Sequence, residues 1–472
     1  METSLLTSTM QTPESASTDY EYISPIGYAN SSRCGYCGTQ GQSYSYYANA
    51  TSLSPRFYQN LLDRCWRRSG KLMYRPNQKR SCCPHYTIRL DSSQFKPTRD
   101  QRQTVNRFTK FVLGDAYIQE AARLYPKTRE DIRRRDNEFS LIGRIHEPEY
   151  DHLKTPLEPT HKFVVTLEND DFTEEKYQVY DNYQRVVHKD PPQDRTPRAF
   201  KRFLCSSPIR REVLAGADGR KRRLGSYHQC YRLDGVLVAI GVLDLLPNCV
   251  SSVYFLYHES IHKNAPGKLG ALHEIALASE EGYQWWYPGF YIHNCPKMKY
   301  KIDYSPQFIL DPDSLCWDPL DSTVLRLLDQ KPFLSLSMEK HSACTSGGGD
   351  GDHHGDTREA KRPNFGESGQ DSMGTVESDD DGEGKDEEDI GSLFKSGMPG
   401  ISSASDMMEV DLDHIALKIY PEGPLFETSD LVAWDSKSIT DWPGIKASVA
   451  ELVAALGPEA VQSLCLDMTR GG

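Results

Sequence analysis

Between positions 227 and 258 the chain reads as three strand segments separated by turns too short to hold a helix, so this region must form an antiparallel meander. Residues 227–233 run into Asp234-Gly235, two residues that tolerate positive φ and favour a tight hairpin. Residues 236–246 return, Pro247-Asn248 turns the chain again, and 250–258 form the third segment. Upstream, 161–167 is a strand rich in β-branched residues. An amphipathic helix over 174–188 follows, with Tyr177, Tyr180, Tyr183, Val186 and Val187 on one side. Residues 197–203 start a second helix, with proline near its first position. Downstream, 269–281 is a helix by pattern and 288–294 a strand. This order predicts one α/β unit over 161–335 with a central mixed sheet, because strands joined by tight turns are antiparallel and a strand after a crossover helix can be parallel.

Charge divides the rest of the 472 residues. The net charge is −12, yet residues 51–145 carry +12 and residues 345–391 carry −11. Mean hydropathy is −0.62, low enough that part of the chain is expected to lie outside any core. The expected organisation is a loose Ser/Thr-rich leader over 1–20, a basic Cys-rich domain over 21–145 and a Pro-containing linker over 146–160. The α/β unit over 161–335 follows, then an acidic disordered segment over 340–405 and an extension over 406–472. Helices are expected over 99–113 and 445–456. No basic and apolar leader of a signal peptide is visible, and the longest apolar run, 235–246, is interrupted by Asp244 and falls short of the ~20 residues of a membrane span. A cytoplasmic protein with reduced thiols is expected, present in the nucleus as well, with no membrane partner.

Cys34-Gly35-Tyr36-Cys37 and Cys82-Cys83-Pro84-His85 bracket an aromatic, basic stretch. Four thiolates suit zinc or an iron–sulfur cluster equally. Adjacent cysteines diverge in most backbones, so His85 becomes a fourth zinc ligand if only one of Cys82 and Cys83 ligates. The alternative is that all are ordinary buried apolar residues. Between the two motifs, Arg64, Arg67, Arg68, Lys71, Lys79 and Arg80 interleave with Trp66 and Tyr74. Cations neutralise phosphates and flat rings stack on unpaired bases, so these six are the candidate RNA contacts; the bland reading is a solvated face. A second basic run is Arg133-Arg134-Arg135.

These residues also match a known family. Cys34–Cys37, Arg67-Arg68-Ser69-Gly70-Lys71 and the run from Cys82 to Arg89 resemble the N-terminal domain of eukaryotic arginyl-tRNA–protein transferases. Tyr227-His228-Gln229, the run from Leu245 to Tyr254, and Gly289 to His293 with Cys295 to Tyr300 resemble the C-terminal domain. The resemblance spans about residues 25–330, and nothing in 340–472 matches. It implies transfer of arginine, with arginyl-tRNA as co-substrate, to the N-terminal amine of proteins that begin with Asp, Glu or oxidised Cys. It also implies that the products enter ubiquitin-dependent degradation by the N-degron pathway, with ubiquitin-ligase machinery as a partner. The implied fold of the second domain is that of the acyl-CoA N-acetyltransferases (the GNAT fold). The implied cofactor is zinc or an iron–sulfur cluster at the N-terminal cysteines, with no organic cofactor. Where such acetyltransferases hold a pyrophosphate, this chain has Pro266-Gly267-Lys268-Leu269-Gly270-Ala271, a weak echo of the loop at a helix start that still favours an anion.

Aminolysis of an aminoacyl ester needs an acceptor for the arginyl guanidinium, another for the amine, and a cation for the acidic first side chain. Asp244 is the outstanding carboxylate, because a charge inside an apolar strand is costly unless a ligand or an internal arginine pairs it. With it, Tyr254 and His293 are the catalytic candidates, although a satisfied core histidine is the better reading of His293. Ser251, Ser252, Glu274, Lys297, Lys299 and Tyr300 are the substrate-binding candidates, the two lysines sharing a face if their stretch is extended. Competing readings are an acetyl-CoA-dependent N-acetyltransferase of the same fold and a non-catalytic, metal-dependent RNA-binding adaptor.

Overall fold

Asp234 and Gly235 take φ values of 54° and 82°. They join strand Lys221–Leu233 to strand Val236–Leu246 in antiparallel register, and Cys249–Tyr257 adds beyond them. From Leu237 onward every residue of the middle strand is buried, which only a strand covered on both faces sustains. The computed structural model describes residues 20–215, 219, 221–345, 391–432 and 434–469. The expected leader, apart from its last residue, and most of the expected acidic segment lie outside the described residues.

The meander belongs to a ten-stranded mixed sheet. Its path runs Trp317–Pro319, Gln307–Leu310, Tyr86–Asp91, Trp285–Tyr287, Cys249–Tyr257, Val236–Leu246, Lys221–Leu233 and Phe163–Asn169. The strand that follows helix Pro266–Glu281 is parallel to Cys249–Tyr257, as the crossover requires. That central helix packs Leu272, Ile275 and Ala276 into one core with Ile240, Leu256, and Tyr180 of helix Glu174–Tyr183. The latter helix ends in a wider π turn, Gln184–His188. The helix expected over 99–113 extends over Arg99–Leu124, broken at Gly114 (φ 76°).

Two boundaries differ from the sequence expectation. Strand Tyr86–Asp91, expected within a separate basic domain, lies inside the ten-stranded sheet, paired with Trp285–Tyr287 and Gln307–Leu310. The 406–472 stretch is not an appendage. Strand Leu464–Asp467 runs parallel to Glu21–Arg33 and Ala416–Lys418 in a second, seven-stranded sheet that also contains Gln40–Ser52, Leu72–Pro76 and Arg67–Ser69. Helix Ile445–Leu456 covers that sheet, and one core unites its Val449, Leu452 and Val453 with Tyr46, Trp66 and Trp434 and with Leu246, Cys249 and Tyr287 of the larger sheet. Trp66 Nε1 donates to Ala455 O at 3.0 Å, and Arg75 donates to Pro399 O at 2.9 Å. Positions 391–405, expected as disordered, hold a 3-10 turn at Leu393–Lys395 whose Leu393 amide is capped by buried Glu451 (2.8 Å). Both departures have one cause, strand pairing between segments hundreds of residues apart, which local patterning does not encode.

The sheets are also bolted together by charge. Arg68, on the short strand Arg67–Ser69, donates Nε to Asp244 Oδ2 at 2.8 Å and Nη2 to Asp244 Oδ1 at 2.6 Å. Ser226 Oγ donates to the same carboxylate at 2.5 Å, and the Arg68 and Asp244 side chains are 2% and 0% exposed. Of the two partners expected for Asp244 the internal arginine is the one found, which corrects Asp244 from a catalytic candidate to half of a buried ion pair and Arg68 from a nucleic-acid contact to the other half.

Replacing Arg68 by Ala strands a buried carboxylate and is expected to cost ~3–5 kcal/mol in urea unfolding; the joint change Arg68→Met with Asp244→Leu should recover most of that. A single variant within about 1 kcal/mol of the parent would contradict the bolt. Deleting 391–472 removes strands and the covering helix from the first sheet, so the truncated chain should aggregate or melt far below the full chain; an unchanged melting temperature would refute the shared core.

Candidate active site and metal centre

Strand Cys249–Tyr257 and strand Trp285–Tyr287 stay paired for three rungs only, Cys249–Trp285 to Ser251–Tyr287. The chain then turns at Pro288 and Gly289 (φ 84°) into Phe290–Tyr291, which pairs with Thr87 and Tyr86 instead. The two parallel strands therefore splay apart beyond Ser251. A bulge between Ser252 and Tyr254 twists the strand further at that point. A Cβ at Gly289 would lie 3.9 Å from Ser252 O and 3.6 Å from Lys301 Nζ, so the gap narrows there.

Glu274, from the central helix, closes the floor of the splay. It accepts from Trp286 Nε1 at 2.8 Å and from Ser252 Oγ at 3.3 Å. Burial pushes its carboxyl up to about 7, with the bonds from Trp286 and Ser252 and the nearby Lys301 pulling the other way. Buried Lys301 donates to Phe290 O at 2.9 Å. Farther along the strand, Tyr254 donates to Gln184 Oε1 at 3.2 Å and its oxygen lies 2.9 Å from His188 Nε2. Burial, helped by Lys297, holds His188 down at about 4, so the ring is neutral. Ser252 and Glu274 thus meet on one face of the sheet, whereas the bulge, which shifts the register from Ser252–Leu243 to Tyr254–Val242, turns Tyr254 to the opposite face, and Ser251 is buried at the last paired rung.

Other candidates fall elsewhere. His293 lies between Tyr291 OH (2.7 Å) and Asp329 Oδ1 (2.8 Å), tethering helix Ser322–Gln330. Its neighbour Tyr291 belongs to a different core from Tyr254, so His293 is corrected from catalyst to structural tie. Lys297, Lys299 and Tyr300 are exposed, but on a 3-10 turn, Pro296–Asp303, and not on a strand. Pro296 starts that turn, so the two lysines do not alternate on one face. Of the six expected RNA contacts, Lys79 and Arg80 are exposed, Lys71 is half-buried, and Arg64 lies 3.5 Å from Glu459. Arg67 is buried, 5.1 Å over the Phe290 ring and 5.8 Å over Tyr287. Its Nε and Nη2 have no hydrogen-bond partner, so like Arg68 it is corrected from a surface cation to an interior one. Lys301, His188, Gln184 and the interior placement of Arg67 were missed by sequence reasoning. Only Lys301 left a trace, its position three residues after Met298, which it joins in burial.

The start of the central helix does not resemble a phosphate loop. Ala265 takes φ 54°, Lys268 is paired with Asp100, and a Cβ on Gly270 would come within 2.2 Å of the Phe255 ring. Glycine is needed there for close helix–strand packing. The adjoining pocket is lined mainly by apolar groups such as Phe108, Phe163, Val238 and Leu269.

The ligand atoms of Cys34, Cys37, Cys82 and Cys83 lie within 4.8 Å of one another, so both adjacent cysteines turn inward and the cluster can bind a metal. Cys37 Sγ is 3.4 Å from Cys82 Sγ. Burial opposes ionisation of Cys37, but bonds from Thr39, Cys82 and Cys83 outweigh it and hold the thiol at about 6. Burial and the bond to Cys37 push Cys82 up to about 12. His85 is not in the group; its ring packs edge-on against Tyr36 and Phe290, which corrects its reading as a ligand. Cys34 and Cys83 share an apolar cluster with Ile292, Cys295 and Met298, directly before Lys301.

Replacing Cys37 by Ser should release bound metal, measured by elemental analysis, and loosen amide-exchange protection over 292–301. Full metal content in that variant would refute the ligand assignment.

Comparison with known proteins is consistent with this geometry. The family models described as "Arginine-tRNA-protein transferase, N terminus" and "Arginine-tRNA-protein transferase, C terminus" match residues 32–103 and 175–311. The chain is 27% identical over 422 residues to arginyl-tRNA–protein transferase 1 of Drosophila melanogaster, covering 67% of this chain and 86% of that protein. It is 31% identical over 267 residues to the Saccharomyces cerevisiae protein of the same name, covering 53% of this chain and 48% of that one. A bacterial aspartate/glutamate leucyltransferase, from Pseudomonas fluorescens, is 25% identical over 278 residues, with 58% and 88% covered.

Proposed function

The chain belongs to the arginyl-tRNA–protein transferase family, and on that footing we propose that it moves arginine from arginyl-tRNA to the N-terminal amine of proteins beginning with Asp, Glu or oxidised Cys. Such products are marked for ubiquitin-dependent degradation. The observation that carries the reading to particular residues is the splay between Cys249–Tyr257 and Trp285–Tyr287, with a carboxylate at its floor. A bulged strand splaying from its parallel neighbour also supports the GNAT-like assignment of the second half.

In the reaction, the neutral amine attacks the ester carbonyl, a C–N bond forms, the C–O bond to the ribose breaks with the departing oxygen taking up a proton to leave as a hydroxyl, and the attacking amine sheds a proton of its own. Because the donor is already activated and an α-amine titrates near ~7.7–8.0, positioning supplies most of the acceleration, up to ~7–11 kcal/mol in favourable cases. Glu274 receives that proton. A carboxyl at about 7 is half ionised at neutral pH, where a general base works best. Ser252 orients it, while Tyr254, on the opposite face of the same strand, is held by Gln184 and His188 and fixes the bulge from behind. The acidic first side chain of the acceptor meets Arg67 and Lys301, two interior cations that both touch Phe290, one at its ring and one at its carbonyl. Lys297, Lys299, Lys79 and Arg80 face solvent and suit the tRNA phosphates.

The four cysteines would hold one tetrahedral ion such as zinc. A Zn–S bond of ~2.3 Å puts ligand sulfurs ~3.8 Å apart, which agrees with the observed grouping better than the wider spread of a multi-iron cluster. Such an ion would fix the 292–301 loop and, through it, Lys301. An acetyl-CoA reading is disfavoured by the apolar, phosphate-averse start of the central helix.

The test is direct: the pure protein with labelled arginine, tRNA, a synthetase and an Asp-starting peptide should label the peptide, whereas label only from acetyl-CoA, or none, would overturn the reading. In the same assay kcat/KM should rise with pH through about 7 as Glu274 ionises. Glu274→Gln should lose at least ~100-fold and flatten that limb. Stability carries the opposite sign. The raised carboxyl stabilises the fold below its unfolded value and loses that contribution as pH rises through about 7.

A further inference from the structure

One residue before Glu274, the central helix presents a second chemistry that the transfer reaction does not use. His273 is 2% exposed, and its Nδ1 is buried with no hydrogen-bond partner among the described residues. Its ring stands 5.9 Å from that of His146, which caps the short helix Leu141–Ile145. Glu149 follows, its Oε1 2.6 Å from His146 Nδ1. On the other side of the imidazole, Nε2 lies 2.8 Å from Oε1 of Glu280. Glu280 stands two turns beyond His273 on the central helix, so the two project from one face.

We propose that His146, Glu149 and His273 form a second metal site, separate from the cysteines, for one divalent zinc-like cation, with Glu280 holding His146 from behind.

Three observations carry this. The ligand atoms of His146, Glu149 and His273 all lie within 4.8 Å of one another, close enough for small side-chain rotations to bring them onto one ion. Their chemistry is two imidazoles and one carboxylate, a set that suits zinc with its fourth position left for water, whereas magnesium and calcium prefer oxygen alone. The second shell is also in place: a metal-bound histidine usually has its remote ring nitrogen held by a carboxylate, and Glu280 occupies that position on His146. The ion would clamp the 141–149 segment to the central helix, beside the carboxylate at the floor of the splay.

The experiment is cobalt titration of the full chain after chelation, followed by optical spectroscopy and by metal counting. Thiolate ligation gives intense sulfur-to-cobalt charge transfer, and a His/His/Glu site gives only weak ligand-field bands. The expected result is one equivalent with no charge-transfer band, lost in His273→Ala while the thiolate signal stays. Because truncating a buried ring can unsettle the helix, Glu149→Gln is the second variant and should lose the same equivalent in a folded protein. The cation should raise the melting temperature of the parent but not of either variant. Absence of any equivalent beyond the thiolates, or its full retention in folded Glu149→Gln, overturns the proposal.

Discussion

The pairing of Arg68 with Asp244 is the constraint on which the rest of the architecture rests. A bidentate ion pair out of reach of water is worth little against a well-packed apolar pair, yet severing it leaves a naked charge, so its value lies in where it forces two surfaces to meet. Here it fixes the edge of the seven-stranded sheet against the middle strand of the ten-stranded one. Leu246, Cys249 and Tyr287 then share a core with Trp66 and Trp434, and the opening after Ser251 is built on a wall that neither sheet forms alone.

That arrangement explains why cations and a carboxylate coexist in so small a space. Arg67 and Lys301 are held by ring faces and a backbone carbonyl, while Glu274 is bound by Trp286 and Ser252. The cysteine cluster enters the same economy from outside, because Cys34 and Cys83 pack on the residues that lead into Lys301. A metal at the cysteines and the chemistry at the splay are therefore neighbours through a single loop.

Much of this was legible in the sequence where the determinants are local. The Asp234-Gly235 hairpin, the central helix and helix Ile445–Leu456 all follow from turn residues and periodicity. The need for a partner at Asp244 was legible too, but not its identity, since Arg68 stands 176 positions away. The arginines of 64–80 look like a solvated face because charged residues almost always are; three of them, Arg67, Arg68 and Arg75, turn inward where rings, a carboxylate and carbonyls receive them. Lys297 and Lys299 were misread because Pro296 starts a tight turn in what reads as an extended stretch. Strand Tyr86–Asp91 has neighbours that arrive some two hundred residues later, and no window along the chain contains them.

The parallel pairing of Glu21–Arg33 with Leu464–Asp467 has a consequence for biosynthesis. Strand Glu21–Arg33 is synthesised some four hundred residues before the neighbour it pairs with, and helix Ile445–Leu456, which shares its core, follows as late. The nascent chain must therefore carry an unclosed β edge while the segment between the two strands is made. Such a protein depends on chaperone shielding during synthesis more than its size alone suggests.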